Sequence, residues 1–325
     1  MTIFRRLDAF VFALVASAAL LGVGDARAQW PDRPVKWIVP FGPGGANDLI
    51  ARAAAEAVAK RLGQPVVIEN KPGAGAIVGA DYVAKAKPDG YTWLVGAAGV
   101  VTNSMLHSDM PYADADLVPV GMIAVAPSVI VVNPDVPVSN LKEFVAWAKA
   151  QRAGVDWSTA GGGSTPHFVA EMLRESGVNI TIVPYKSGSE GVTAVVAGNV
   201  QATSEASIVV LPQVKAGKLK AIATTFSRRI TAYDSLPTAK EQGFPNVEIG
   251  HWAGLFAPKG TPPEIVERMS RELEAAVRSQ EFRDKMVPFG IEPEPGSTRA
   301  FVAFIAAERE RLGRLAKKAN MQADK

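Results

Sequence analysis

The sequence predicts an α/β protein of two domains, each a mainly parallel sheet flanked by helices. Apolar runs with strand character alternate with helical patterns along most of the chain, which is typical of parallel sheets. A strand, a glycine turn and a helix start follow one another twice, at residues 35–48 and 155–167. The chain has 325 residues, of which 48% are hydrophobic, and domains average roughly 100–200 residues. Two medium domains therefore fit the length.

The N-terminus, residues 1–28, has the pattern of a secretory signal. Arg5 and Arg6 precede an apolar stretch at residues 9–24, and the Ala-Arg-Ala sequence of residues 26–28 fits a cleavage site. That stretch is shorter than the roughly 18 residues that a membrane span needs. We expect an exported, soluble mature protein that begins near Gln29.

The absence of cysteine excludes disulfides, thiolate metal sites and a lipid-bearing N-terminal cysteine. The formal charge of the whole chain is +3. Without the predicted signal, which holds three basic and two acidic residues, it is +2. Basic residues are scattered except in the run 309–318, whose helical spacing indicates a solvated face. Nucleic acid is therefore not an expected partner.

The first glycine unit, residues 41–48, has the sequence Phe-Gly-Pro-Gly-Gly-Ala-Asn-Asp. It follows an apolar strand at residues 35–40 and precedes a helix at residues 47–62. Ile50, Ala54, Val58 and Leu62 recur every four residues on one face of that helix, and Gly63 is its expected stop. Asn47 or Asp48 is the expected N-cap.

Two more strands complete the predicted parallel sheet of the first domain. The pattern gives a strand at residues 65–69, a loop at 70–75, a helix ending near Lys85 and a strand at 91–96. In such sheets, ligands bind beyond the carboxyl ends of the strands. The loops 41–48, 70–75 and 97–102 should therefore converge there.

The second domain repeats this alternation after a crossover near Asn133. The second glycine unit, residues 161–167, has the sequence Gly-Gly-Gly-Ser-Thr-Pro-His. Around it we predict strands at residues 128–132, 155–159, 180–184, 200–204 and 219–224. Helices are predicted at residues 140–150, 165–177 and 190–197. Glu205 should lie just past the end of the strand at residues 200–204.

The chain is predicted to return to the first domain near Gly250. A strand at residues 252–258 leads to a helix with Thr261 as N-cap, Pro262 at the first position and Glu264 at the third. Helices at residues 281–287 and 298–319 should pack on the first domain. The predicted boundaries are 29–130 with 251–325 for the first domain and 131–250 for the second.

Each glycine unit is a candidate anion site. The first turn of a helix has unpaired N–H groups and the positive end of the helix dipole, and glycine lets a ligand approach the backbone closely. Two such helix starts in one chain predict a clamp. A tight structural turn is the alternative interpretation of each unit.

Several strings together resemble one family. They include Pro-Phe-x-Pro-Gly-Gly-x-x-Asp at residues 40–48 with Arg52, Glu-Asn-Lys-Pro-Gly-Ala-Gly at 69–75, Pro-Asp-Gly-Tyr-Thr at 88–92 and Pro-Tyr-Lys at 184–186. Lys-Ala-Gly-Lys-Leu at 215–219, Leu-Pro-Thr-Ala-Lys-Glu-Gln-Gly at 236–243, and Trp252 with Ala257-Pro258 follow in order. In these strings the chain resembles the Bug family, the periplasmic solute receptors of tripartite tricarboxylate transporters.

The resemblance implies a periplasmic binding protein fold, with two hinged domains and an anionic ligand in the cleft between them. In the family the two loops here numbered 41–48 and 161–167 hold carboxylates through backbone N–H groups and water. The implied partners are a small organic acid or acidic amino acid and the membrane subunits of a transporter. Sensing through a sensor kinase remains the alternative to uptake. The protein is expected to be a monomeric, periplasmic non-enzyme without cofactor or metal.

Three cleft positions differ from the family pattern, so the resemblance implies no particular ligand. Asn47 replaces a hydroxyl residue, Glu205 stands where Asp is commoner, and Ala97-Ala98 replaces a Ser/Thr-rich loop. The predicted ligand-binding residues are Phe41, Pro43, Gly44, Gly45, Ala46, Asn47, Asp48, Ala98, Gly161, Gly162, Gly163, Ser164, Thr165, His167, Lys186, Ser187 and Glu205.

The charged and histidine side chains of this set have alternative interpretations. Asp48 would repel a carboxylate, so it caps the helix, receives an amino group or orients a water. Glu205 binds an ammonium group or is simply exposed at a strand end. His167 donates to the ligand or packs at the helix start, and Lys186 contacts the ligand or is solvated. His107 and His251 are interpreted as structural.

Enzyme motifs are absent from the sequence. The first glycine unit lacks the third glycine of a dinucleotide fingerprint, and no phosphate loop, nucleophile elbow or His-Glu-x-x-His pair occurs. An exported hydrolase that uses Ser164 and His167 is the enzyme alternative, although no orienting acid is evident. A structural envelope protein would need repeats or a large exposed apolar face, and the sequence shows neither.

Overall fold

The computed structural model describes residues 30–318 and residue 321, so the predicted signal lies outside the described residues. Its strands are β1 (Val35–Val39), β2 (Val66–Asn70), β3 (Thr92–Gly96), β4 (Leu117–Val132), β5 (Val155–Thr159), β6 (Ile180–Pro184), β7 (Ala202–Ala206), β8 (Lys220–Thr224), β9 (Gly250–Pro258) and β10 (Glu292–Pro293). Its α-helices are α1 (Ala46–Leu62), α2 (Ile77–Ala84), α3 (Ala98–Leu106), α4 (Leu141–Ala150), α5 (Thr165–Glu175), α6 (Gly188–Val196), α7 (Ser207–Lys215), α8 (Pro263–Arg278), α9 (Gln280–Met286) and α10 (Thr298–Lys318).

The strands follow the order β2-β1-β3-β9-β4-β7-β5-β6, while β8 and β10 also pair with β4. In the first half of the sheet, β1 pairs in parallel with β2 and β3, and β9 joins β3 antiparallel. In the second half, β5 pairs in parallel with β6 and β7. This mixed α/β architecture confirms the predicted fold class, and both parallel sets are joined through helices as expected.

Strands β4 and β9 connect the two halves of the sheet. From Leu117 to Pro127, β4 pairs antiparallel with β9, and from Ser128 to Val132 it pairs with β7 and β8. The change of partners coincides with Gly250, the first residue of β9, which pairs with Pro127. The crossovers predicted near Asn133 and Gly250 thus correspond to two neighbouring strands. The predicted domain boundaries stay a prediction.

Large apolar side chains fill the core on both sides of this connection. Trp37 and Trp93 are fully buried in the first half of the sheet, and Trp157 is fully buried in the second. Helix α1 packs on the first half of the sheet and buries the predicted face of Ile50, Ala54, Val58 and Leu62. Most of the other alanines of α1 are buried as well. No α-helix among the described residues is long and apolar enough to cross a membrane.

Several predicted boundaries were wrong at turns. The N-cap of α1 is Gly45, not Asn47 or Asp48, because the helix begins at Ala46. The N-cap of α8 is Pro262, since the Thr261 hydroxyl donates to the Pro258 carbonyl instead of accepting from the first turn. Helix α3 begins at Ala98, where we expected a loop.

The second half of the chain holds three further differences. Strand β7 runs from Ala202 to Ala206, so Glu205 lies inside it and not past its end. Helix α7 follows at once and was not predicted. Helix α10 contacts more than the first half of the sheet, because Leu312 and Ala316 lie in the same core cluster as Trp157.

Candidate functional site

Four helix N-termini surround one small cavity, which we call the inner cavity. They are the starts of α1, α3, α5 and α6, and the cavity has a volume of about 30 Å³, room for about two water molecules. Each helix start presents unpaired N–H groups and a positive dipole end. The lining residues are Phe41, Gly45, Ala46, Asn47, Ala97, Ala98, Gly99, Ala160, Ser164, Thr165, Pro166, Gly188, Glu205 and His251.

In the first glycine unit, Asp48 fixes the turn. Its carboxylate accepts hydrogen bonds from the Gly44 N–H, from the Arg52 guanidinium on both oxygens and from the Asn70 amide, each at 2.9 Å. Asn70 also donates to the Phe41 carbonyl at 3.0 Å. Asp48 is buried, whereas the side chain of Arg52 is half exposed. The carboxylate therefore stabilises the conformation of the loop.

The charge of Asp48 is stabilised by these partners. Burial alone raises the pKa of a carboxyl group, but the hydrogen bonds from Arg52, Gly44 and Asn70 outweigh it and lower the pKa of Asp48 below its usual value. Asp48 is therefore ionised at neutral pH. Asp48 is therefore not the helix cap that was one of its alternatives, because its four hydrogen bonds hold the turn before α1 and the N-cap is Gly45.

In the second glycine unit, His167 takes the equivalent place. Its Nδ1 accepts a hydrogen bond from the Gly163 N–H at 3.1 Å, four residues earlier, as Asp48 does from Gly44. The Ser164 hydroxyl donates to the Gly161 carbonyl at 2.7 Å. The Nε2 of His167 lies 3.6 Å from the Glu171 carboxylate, and neither residue lines the inner or the outer cavity. The side chain of His167 therefore supports the turn.

The two halves of the sheet contact each other across the cleft. The Gly42 N–H donates to the Lys186 carbonyl at 3.2 Å, and the Ser189 hydroxyl donates to the Pro43 carbonyl at 3.0 Å. Gly75 is so close to Gly162 that a Cβ atom on Gly75 would lie 2.4 Å from the Gly162 carbonyl oxygen. The loops of the two halves are therefore in direct contact at these positions.

A larger outer cavity of about 510 Å³ adjoins the inner one at Phe41 and Ala160. Its lining comes from both halves of the sheet: Pro40, Phe41, Gly73, Ala74, Gly75, Ala76, His107, Ala160, Gly161, Gly162, Pro184, Tyr185, Lys186 and Glu190. Lysine and glutamate thus occur at the outer cavity. Neither Lys nor Arg is among the described residues that line the inner cavity.

Two buried titratable side chains, Glu205 and His251, form part of the inner cavity wall. Glu205 is 3% exposed and His251 8%. Glu205 Oε1 accepts from the Ala206 N–H at 2.8 Å and lies 3.4 Å from Nε2 of His251. Burial raises the pKa of Glu205 to about 7, although the Ala206 bond opposes the shift, and burial lowers the pKa of His251 to about 3. His251 is therefore neutral at pH 7, and the contact is not a permanent ion pair.

The structure brings many of the predicted residues to these cavities. Phe41, Gly45, Ala46, Asn47, Ala98, Ser164, Thr165 and Glu205 line the inner cavity. Gly161, Gly162 and Lys186 line the outer cavity. Pro43, Gly44, Asp48, Gly163, His167 and Ser187 line neither. Gly44 faces a separate groove next to Ser189, and Ser187 is the N-cap of α6, where its hydroxyl accepts from Glu190 N–H.

Sequence reasoning missed some lining residues. His251 was interpreted as structural, yet it lies beside Glu205 on the cavity wall. Gly188 was missed because the start of α6 was placed two residues too late. The Ser-Gly-Ser-Glu sequence of residues 187–190 was a usable signal, since it places a Ser N-cap three residues before a Glu. The start of α3 at Ala97 and Gly99 has no polar cap that could have indicated it.

The described side chains also bear on two other kinds of site, a metal site and a catalytic pair of Ser164 and His167. Among residues 30–318 and 321, no group of three or more His, Cys, Asp or Glu side chains is placed to hold a metal ion. The described hydrogen bonds of Ser164 and His167 end on Gly161 and Gly163, not on each other. These two side chains are therefore not arranged as a nucleophile and its base in this structure.

Comparison with known proteins identifies a family to which this chain is similar. Residues 50–321 match the model of the tripartite tricarboxylate transporter family receptor. Protein BugT of Bordetella pertussis is 34% identical over 305 residues, which cover 92% of this chain and 93% of that one.

Solved structures show the same similarity. The periplasmic binding protein BugD superposes with a TM-score of 0.87 at 33% identity, covering 91% of this chain and 100% of the other. Rpa4515 of R. palustris, whose structure contains adipate, has a TM-score of 0.87 at 33% identity and covers 90% and 99% of the two chains.

Proposed function

Because this chain belongs to the tripartite tricarboxylate transporter receptor family, we propose that it is a periplasmic receptor that captures a small carboxylate between the two halves of its sheet. One observation carries the proposal: helix starts from both glycine units, with those of α3 and α6, surround a single cavity. Helix N-termini favour anions, and four of them around one space favour a carboxylate. The adipate bound to the similar Rpa4515 supports the same ligand class.

Backbone donors are sufficient for useful affinity. A hydrogen bond to a charged acceptor contributes roughly 1.5–3 kcal/mol, and micromolar binding corresponds to about −8.2 kcal/mol after association costs. The described lining of the inner cavity holds no Lys or Arg, so N–H groups, hydroxyls and water would hold the carboxylate. Lys186, at the outer cavity, would add a modest electrostatic attraction.

Ligand capture would proceed by closure of the cleft about β4 and β9. The bonds from Gly42 to Lys186 and from Ser189 to Pro43 exist only when the halves meet, so they belong to the closed form. A ligand that bridges both halves stabilises that form by its additional contacts. Compaction on ligand binding, measured by small-angle scattering, tests this step.

The remaining parts of the proposal concern location and partners. The N-terminal signal at residues 1–28 would export the chain, and the soluble receptor would deliver its ligand, as a monomer, to the membrane subunits of a tripartite transporter. Signalling through a sensor kinase is the alternative to uptake. A receptor returns its ligand unchanged, so recovery of unaltered ligand after prolonged incubation separates this function from hydrolysis by Ser164 and His167.

The experiment begins with a thermal-shift screen of residues 29–325 against mono-, di- and tricarboxylates, aromatic acids and acidic amino acids. A ligand at 100 times its dissociation constant stabilises a protein by roughly 2.7 kcal/mol. Calorimetry on Gly45→Val then tests the site. The backbone of Gly45 has φ −74° and accepts a side chain, but the valine would extend toward Ser187 and Gly188 across the cleft.

We expect Gly45→Val to lose binding while it remains folded. Gly296→Val is the matched control, because a Cβ atom there would meet only Ala300 at 3.6 Å, outside both cavities. Lys186→Ala should weaken binding only modestly. Retained binding in Gly45→Val, or complete loss in Lys186→Ala, would show that the carboxylate is held elsewhere or by an ion pair.

A further inference from the structure

The inner cavity contains a carboxyl group of its own, and this is unusual for an anion site. The Glu205 side chain is 3% exposed and lies among helix starts that favour negative charge. A Cβ atom built on Gly188 would lie 1.7 Å from Oε2 of Glu205, so this oxygen rests directly on the first residue of α6. Glu205 thus occupies the N-terminus of α6, where a ligand carboxylate would otherwise bind.

His251 provides a second polar atom on the same wall. Its Nε2 is buried and makes no hydrogen bond among the described residues, although Glu205 Oε1 is 3.4 Å away. A buried polar atom without a partner is costly, so a water or a ligand group in the cavity would stabilise this one. Glu205 can accept a hydrogen bond from a donor that lies in the cavity, and Nε2 of His251 can do so in the tautomer that carries its proton on Nδ1.

We propose that the ligand is an amino-carboxylate whose carboxylate lies at the starts of α1, α3 and α5 and whose ammonium group faces Glu205 and His251. The inner cavity, at about 30 Å³, widens to admit these two groups, and the rest of the ligand extends past Phe41 and Ala160 into the outer cavity. This inference rests on the proposed function and narrows its ligand class. A second carboxylate beside Glu205 would place like charges together in a buried space without a lysine or arginine in its described lining. An ammonium group neutralises Glu205 and gives His251 a donor.

The charged groups on the elements around Glu205 do not compete with this pairing. Strand β7 packs against β4, β5, α5, α6 and α7, and His251 lies on β9. The titratable side chains of these elements, other than His251, are Asp156, His167, Glu171, Arg174, Glu175, Glu190 and Lys215, and none of them lines the inner cavity. The ligand would therefore be the principal partner of the Glu205 charge.

The pH dependence of affinity distinguishes an ammonium ligand from a second carboxylate. Burial raises the pKa of Glu205 to about 7, so the carboxylate form becomes dominant as the pH rises through 7. An ammonium group binds the ionised form, and its affinity should rise about tenfold from pH 6 to pH 8. A dicarboxylate needs Glu205 protonated as a donor, and its affinity should fall over the same range.

The test uses calorimetry with matched acids of three to six carbons. Each set contains the unsubstituted monocarboxylate, its α-amino and ω-amino derivatives and the dicarboxylate, for example butyrate, 2-aminobutyrate, 4-aminobutyrate and succinate. We expect an amino derivative to bind at least ten times more tightly than its unsubstituted acid and its dicarboxylate at pH 8. Glu205→Gln should remove both this preference and the pH dependence, whereas the exposed control Glu267→Gln should change neither.

Every outcome decides the inference. Tighter binding of a dicarboxylate, or affinity that falls as pH rises, overturns the amino-carboxylate while the carboxylate receptor stands. An unchanged preference in Glu205→Gln overturns the role of Glu205. If Glu205→Gln does not fold, the pH profile of the unmodified protein still decides between the two charges. Failure of every acid to bind, at every pH, refutes both the proposed function and the inference.

Discussion

The two glycine units have the same backbone but different supports. Gly44 and Gly163 have φ +76° and +71°, and the N-caps that follow, Gly45 and Ser164, have nearly equal dihedral angles. In both units the glycine N–H donates to a side chain four residues later. The first unit uses the ionised Asp48, whereas the second uses the imidazole of His167.

This difference separates what an anion site needs from what a turn needs. A positive φ before a helix start at the inner cavity is common to both units, so these features are the ones that the proposed anion site requires. The acceptor behind the turn can be charged or neutral. A carboxylate is stable in the first unit because Arg52 and Asn70 donate hydrogen bonds to it, and Asp48 lines neither cavity.

The largest effect should come from removing the charged support. Asp48→Ala leaves the Gly44 N–H and the Asn70 amide without their acceptor and Arg52 without its counter-ion, and we expect it to cost about 3 kcal/mol of unfolding free energy. Because the side chain of Arg52 is half exposed, we expect this loss of unfolding free energy to be near the lower end of the range for breaking a buried ion pair. His167→Ala removes one acceptor and should cost about 1–2 kcal/mol.

Urea unfolding of both variants, with exposed Glu267→Ala as control, measures this difference. Glu267→Ala should stay within about 0.5 kcal/mol of the unmodified protein. Equal costs for Asp48→Ala and His167→Ala would mean that the charged network adds nothing to the first turn.

An intermediate effect should separate the two glycines. Alanine at φ near +70° is strained by about 1–2 kcal/mol in either unit. A Cβ atom on Gly44 would have its nearest neighbour at 3.7 Å, whereas one on Gly163 would lie 2.7 Å from the Thr102 hydroxyl and 3.1 Å from Leu106. We expect about 1 kcal/mol for Gly44→Ala and about 2–3 kcal/mol for Gly163→Ala.

Adding Thr102→Ala checks the cause of that difference. It should recover part of the loss in Gly163→Ala and none in Gly44→Ala, since only the former has the clash. Equal melting temperatures of the two single glycine variants would show that strain in the backbone, not contact with α3, sets the cost.

The sequence predicted the regular parts of this fold because they depend on local patterns. Strands β5 and β6 were predicted with their observed bounds, since each is a short segment with strand-forming residues between turn residues. The 16-residue β4 was predicted only at its end. Its partners in β7 and β9 lie from 70 residues (Val132 to Ala202) to 141 residues (Leu117 to Pro258) away in the chain, and their pairing leaves no local signal.

The candidate site divides in the same way. Glycine-rich helix starts indicated Gly45, Ser164 and their neighbours, because helix capping and close approach depend on adjacent residues. His251 could not be found, since it reaches Glu205 only through the pairing of β9 with β4. The different roles of Asp48, which supports the turn, and Glu205, which lines the inner cavity, could not be predicted either. They depend on the direction of each side chain in the folded protein.

The smallest effect concerns only the charge of the first support. Hydrogen bonds from Arg52, Gly44 and Asn70 outweigh the effect of burial and lower the pKa of Asp48 in the folded protein, while an unfolded Asp titrates near pH 3.9. The unfolded state therefore binds more protons in this range, so the stabilisation is complete above about pH 5 and is lost as the pH falls toward the folded pKa. Asp48→Asn keeps the shape of the side chain but has no such dependence. The difference in unfolding free energy between the unmodified protein and Asp48→Asn, measured in urea from pH 7 to pH 3, should shrink as the pH falls. A constant difference over that range would show that Asp48 supports the turn by shape and hydrogen bonding alone, as the neutral support does in the second unit.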